Sequence, residues 1–144
     1  MSACCNSNIV RSYIPLAGGA SALAFSTNVM APSVFKSVFS PNDLAVANGL
    51  WLNAHVGVGA RLYTSKHMKN MCTSKRVVYT AFGTVMFNFG SVLFWATSKK
   101  LLPKCKTFTM LFGLASGVAL LAIGEMYLRE IDSKTQTAEE TSEE

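Results

Sequence analysis

Charged residues are scarce in this chain, and acids are the scarcer sign. Only 15% of the 144 residues are Asp, Glu, Lys or Arg, against about 25% in soluble domains. Asp43 is the sole acid before Glu125. That shortage leaves catalysis little to work with and leaves an enzymatic role unsupported. There is no pair of carboxylates, no Ser-His-Asp set, no Cys-His neighbourhood and no phosphate-cradling glycine loop. No catalytic residue is assigned. Cys4, Cys5, Cys72 and Cys105 have neither metal-ligand spacing nor the pattern of a disulfide framework, so neither a metal nor a cofactor is expected. The Asn-x-Ser/Thr acceptor of glycosylation is missing too. The first residues lack the compact apolar run of a secretory signal, and Arg11 alone does not make an Arg-rich transit peptide.

What the chain has instead is long stretches without charge: Ser12 to Phe35, Leu44 to Ala60, Val77 to Ser98 and Thr107 to Gly124. A bilayer core of about 30 Å takes roughly 20 helical residues, with about 17 as the lower limit. A water-facing helix of that length would carry a charged stripe every 3.6 residues, and these carry none. Hydrocarbon leaves backbone N–H and C=O groups no partner outside the segment, so such runs are read as helices. The expectation is an all-α, polytopic four-helix transmembrane bundle. Its spans lie near residues 12–35, 44–63, 77–98 and 107–128. A short polar N-terminus precedes it at residues 1–11, and an acidic, disordered tail follows the membrane domain at residues 132–144. Pro15 falls in a first helical turn, where proline is tolerated. Pro32 marks either the end of the first helix or a kink. The second segment is the most polar, and three spans with this segment lying at the membrane surface is the alternative architecture.

Four spans place both termini on one side with the loop Arg61–Arg76, giving that side eight of the basic residues; Lys36, Lys99, Lys100, Lys104 and Lys106 fall on the other. The positive-inside rule then puts the termini in the cytoplasm or matrix. Tyr13, Tyr63, Trp95 and Tyr127 stand near span ends, where aromatic residues anchor to the interface. An intracellular membrane, mitochondrial inner or endoplasmic reticulum, is favoured over the plasma membrane.

Lipid tails give helices no hydrophobic reason to associate, so pairing depends on small residues. Gly18, Ala22 and Ser26 form one such stripe; Ala45, Gly49, Asn53 and Gly57 a second; Gly113 and Gly117 a third. The first, second and fourth helices are therefore expected to approach closely, with the bulkier third on the periphery. Polar residues at membrane depth are costly and often functional. Asn48, Asn53 and His55 in the second segment, with Asn28 and Asn88 elsewhere, form a candidate intramembrane site, either a small-molecule or lipid pocket or a set of interhelical hydrogen bonds. Glu125 and Arg129 are spaced as an i,i+4 ion pair. Lys66, Lys69, Lys75 and Arg76 are candidates for anionic headgroups, and Cys72, Cys4 and Cys5 for acylation. Basic loops set between apolar spans do not argue for nucleic acid.

Two short stretches, Val29-Met30-Ala31-Pro32-Ser33-Val34-Phe35-Lys36 and Phe112-Gly113-Leu114-Ala115-Ser116-Gly117-Val118, resemble the transmembrane-protein-205-like family of small four-helix membrane proteins. Phe112 stands where that family has His, and the second helix lacks its Leu-Phe-Pro-x-Tyr start. The resemblance implies the four-helix fold and assigns no functional residue. The functional expectation is a non-catalytic accessory, assembly or scaffold component of a membrane complex, with the bilayer and other membrane subunits as partners. The alternative is a small transporter or ligand-binding bundle using the polar face of the second helix.

Overall fold

The computed structural model describes residues 12–69, 71–103 and 105–142, with the side chains of 136 and 138–142 excepted. The polar N-terminus (residues 1–11), with Cys4, Cys5 and Arg11, and also Asn70 and Lys104, lies outside the described residues. Among the described residues there are six α-helices: α1 (Ile14–Met30), α2 (Pro32–Phe39), α3 (Asp43–Tyr63), α4 (Lys66–Lys69), α5 (Thr73–Leu101) and α6 (Lys106–Ser142). No strand occurs among the described residues.

Helices α5 and α6 are long and apolar enough to cross a membrane, and a third candidate arises if α1 and α2 count as one broken span. Such helices are compatible with an integral membrane protein. Within the expected first span, residues 12–35, the chain turns by 116° between α1 and α2. Ala31 leaves helical geometry at φ −132° and ψ 65°. Pro32 has no N–H to continue the ladder, its ring crowds the preceding turn, and it disfavours helical geometry in the residue before it. It then opens α2 at a position where its missing donor costs nothing. The expected boundary at Asp132 is not a break either. Helix α6 continues to Ser142, helped by an i,i+4 pair of Lys134 Nζ and Glu130 Oε1 at 3.3 Å.

The four long helices pack antiparallel to their sequence neighbours, and α6 closes back on α1. Asn53 of α3 reaches Ser21 of α1, while Gly57 meets Gly18. Between α3 and α5, Trp51 meets Phe89 and Leu62 meets Gly83. Between α5 and α6, Phe94 stacks on Phe112 and Phe87 lies against Gly124. Between α1 and α6, Met30 covers Gly113 and Leu23 covers Gly117.

The tightest of these seams is the first. A Cβ on Gly18 or on Gly57 would lie inside 3.0 Å of the other's backbone, so only hydrogen fits at both positions. The two helices approach there main chain to main chain. Ser26 is fully buried, Gly113 and Gly117 receive side chains from α1, and Ala22 lines a small interior void. Gly49 is different: nothing lies within 4 Å of where its Cβ would be.

Helix α5 packs in a way its sequence did not suggest. Thr84, Asn88, Ser91 and Trp95 recur at helical spacing and are buried, while Phe82, Met86, Phe89 and Leu93 point outward. Trp95 is therefore no interfacial anchor. It is 3% exposed, and its indole Nε1–H donates to Ser116 Oγ on α6 at 3.1 Å. Tyr13 and Tyr63 do remain exposed at helix ends, and Tyr127 is exposed within α6.

Candidate functional site

The mid-helix polar residues do not converge. Asn53 donates from Nδ2 to Ser21 Oγ at 2.7 Å and, more distantly, to Ala17 O at 3.4 Å. His55 sits 2.9 Å from the Trp51 carbonyl through Nδ1. A carbonyl only accepts, so Nδ1 carries the proton. The imidazole also packs edge-on against Trp51, with centroids 4.2 Å apart, and Trp51 bridges Phe25 and Phe89. Asn88 is buried and donates to the Thr84 carbonyl one turn back, at 2.9 Å. Asn48 is exposed and Asn28 half-buried. Asn53 alone of the five makes a side-chain hydrogen bond that crosses between helices. The void beside them has a volume of about 10 Å³ and is lined by Trp51, Asn88, Trp95 and apolar neighbours. That is about the size of one water, far below a ligand pocket of about 300–1,000 Å³.

The charged residues converge where sequence reasoning had not joined them. At the end of the helices formed by the start of α1, the end of α3, α4 and the C-terminal half of α6, the Arg61 guanidinium grips Glu125 with two bonds. Nε lies 2.7 Å from Oε2 and Nη2 lies 2.9 Å from Oε1. Arg129 adds its Nε to Oε1 at 2.9 Å, so the i,i+4 pair exists but shares its carboxylate. The third Arg61 nitrogen donates to Ser65 Oγ at 3.2 Å, and Ser65 in turn donates to the Arg61 carbonyl at 3.0 Å. Two turns beyond Glu125 on α6, Asp132 Oδ1 accepts from the backbone N–H of His67 at 2.9 Å and from its Nδ1–H at 2.7 Å. Both side chains of this pair are mostly shielded from solvent. These groups border an open cleft of about 370 Å³ lined by Ser12, Arg61, Thr64, Lys66, Glu125, Arg129, Asp132 and Ser133.

The chemistry of this end is that of a clamp. Fork-to-fork guanidinium–carboxylate pairing is strong and directional, and it fixes α3 and the short α4 onto α6. All the Glu125 and Asp132 contacts described are to cationic or N–H donors, which leaves neither carboxylate placed as a free base. Of the headgroup candidates, Arg76 turns inward: its guanidinium stacks 3.8 Å over the Tyr63 ring and bonds to the Tyr63 carbonyl. Lys66, Lys69 and Lys75 are exposed. Cys72 is an exposed free thiol.

A usable signal for the clamp was present in the sequence. An antiparallel arrangement puts Arg61 and Glu125 on the same side, each at a span end, and ions at such ends seek one another. Compared with known proteins, the chain matches no family model, no curated protein and no solved structure.

Proposed function

We propose that this chain is a multi-pass membrane protein in which all four long helices cross the bilayer as a bundle, serving as a non-catalytic accessory, assembly or scaffold component of a membrane complex. The observation that carries the reading is an inverted distribution of polarity. Buried positions include Ser21, Ser26, Thr84, Asn88, Ser91 and Thr109, whereas Phe82, Leu93, Val118 and Ile123 are about half exposed or more. Water would drive those large side chains inward; lipid gives them a solvent and leaves the interior to small and polar residues. Helix α3 is too polar to count as a span by composition. Its Asn53 and His55, however, are engaged in bonds within the protein, and it runs antiparallel between α1 and α5. A helix packed in that way crosses whatever its neighbours cross, which favours four spans over a surface-lying second segment.

The scaffold reading is supported by the void beside Trp51, Asn88 and Trp95, which has about the volume of one water. Its test is purification of the tagged protein from its native membrane in mild detergent, with mass spectrometry of what accompanies it. A defined set of stoichiometric membrane subunits supports the reading and identifies the compartment. A monomer that carries a lipid or small molecule, and loses it on His55→Leu or Asn48→Leu, supports the transporter or ligand-binding alternative instead.

A further inference from the structure

The two ends of the helices differ in how their charge is used. In the expected four-span topology, the side to which the clamp residues belong is assigned eight basic residues and seven acids, a balance of +1. The opposite end carries five lysines and one acid, Asp43, a balance of +4; together these recover the net +5 of the chain. At the clamp end Arg61, Arg129 and Lys134 are joined to carboxylates. At the opposite end the described lysines, Lys36, Lys99, Lys100 and Lys106, are all exposed, and none is in an ion pair with an acid. Lys99 alone has a described bond, from Nζ to the Val29 carbonyl at the end of α1, at 2.8 Å.

The same end exposes apolar side chains at the level of those lysines. The 116° turn lays α2 across the α1 axis rather than along it. Phe35 is buried beneath α2, with Phe39 against it at 4.7 Å, while Val38 stays exposed. Leu101 follows Lys99 and Lys100 directly and is 87% exposed. Bare cations beside outward aliphatic groups match the layer where lipid phosphates meet acyl chains.

We infer that the end formed by α2 and the α5–α6 connection is a docking surface for anionic phospholipid headgroups, engaged through Lys36, Lys99, Lys100 and Lys106 with Val38 and Leu101 inserted beside them. This places the headgroup contact opposite the Lys66–Arg76 loop. The inference rests on the membrane-spanning reading. The unpaired charge supplies the complementarity: each lysine near an anionic surface strengthens attachment several-fold, and salt screens the effect.

The full-length protein is reconstituted into phosphatidylcholine vesicles containing a minor fraction of spin-labelled phosphatidylglycerol, or of spin-labelled phosphatidylcholine. Electron paramagnetic resonance then reads the share of each label immobilised by protein. The triple variant Lys36→Gln, Lys100→Gln, Lys106→Gln keeps the bond of Lys99 to the Val29 carbonyl and removes three charges. A control, Lys69→Gln, Lys75→Gln, Lys134→Gln, removes three from the other end. The expected result is a preference of the unaltered protein for phosphatidylglycerol, lost in the first variant and retained in the control. No preference in the unaltered protein, an equal loss in both variants, or a loss only in the control overturns the inference. Extraction of the protein from vesicles by alkaline carbonate overturns the membrane reading itself, whereas a protein that resists extraction yet shows no preference overturns only the docking surface.

Discussion

Two seams hold the long helices together by opposite means. Where α1 crosses α3, the contact is made by what is missing: Gly18 and Gly57 let two backbones touch, and neither position has room for a methyl group. Where α5 meets α6, the contact is made by what is added: the Trp95 ring lies over Gly117 and bonds to Ser116, and Phe94 stacks on Phe112. The first seam is rigid to substitution on both sides. The second has a large partner and a small one, and the large partner's shape can yield. Under the proposed membrane-spanning reading, both solve one problem, that apolar surface alone gives helices in lipid no reason to pair.

The difference can be broken most severely at the glycine crossing. Gly57→Leu forces α1 and α3 apart and is expected to cost about 3 kcal/mol or more, by overpacking. Reversible unfolding in mixed micelles measures it, and a stability unchanged from the parent protein removes the backbone-contact account. The aromatic seam should respond less. Trp95→Phe keeps most of the ring but drops the indole donor and some volume, for a loss of about 1–2 kcal/mol. Pairing it with Ser116→Ala in a double-mutant cycle isolates the hydrogen bond; a coupling of zero would mean the indole donor contributes nothing.

Outside both seams, Glu125→Gln removes the charge that two arginines share while keeping the side chain's shape. The site is partly exposed, so the expected loss is about 1 kcal/mol. Hydrogen exchange should rise in α4 and in α6 around Glu125 to Asp132 rather than in the α1–α3 crossing; exchange that rises uniformly would show that the clamp is not local. The smallest effect has the reverse sign. Gly90 is exposed on α5 with nothing within 4 Å of its missing Cβ, so Gly90→Ala stabilises by about 0.5–1 kcal/mol through helix propensity. Destabilisation there would reveal a contact that the isolated chain does not show, such as a second helix seated on α5.

Much of the fold was legible in the residues. Gaps between charges located the long helices, and Gly18, Gly57, Gly113 and Gly117 marked contacts because glycine leaves space that a neighbour fills. Pro32 announced a boundary, although proline chemistry does not say whether the chain stops or turns by 116°. The site was less legible. Asn48, Asn53, His55, Asn28 and Asn88 were grouped because each is costly in lipid, yet a helical amide or imidazole can satisfy itself on a carbonyl one turn away, as His55 and Asn88 do. The buried stripe of Thr84, Asn88, Ser91 and Trp95 was also present at helical spacing. It was masked by the aromatic residues between, which in water would have been the core.

The sequence by itself determined that this chain is helical, where its long helices lie and which residues leave room for contact, because charge spacing, glycine and proline act locally. Only the tertiary structure decided which helices touch, that Trp95 turns inward, and that Arg61 and His67 close on Glu125 and Asp132 across more than sixty positions of chain. The reason is physical. An ion pair or a packed ring depends on the distance between side chains from separate helices, and no periodicity within either helix contains that distance.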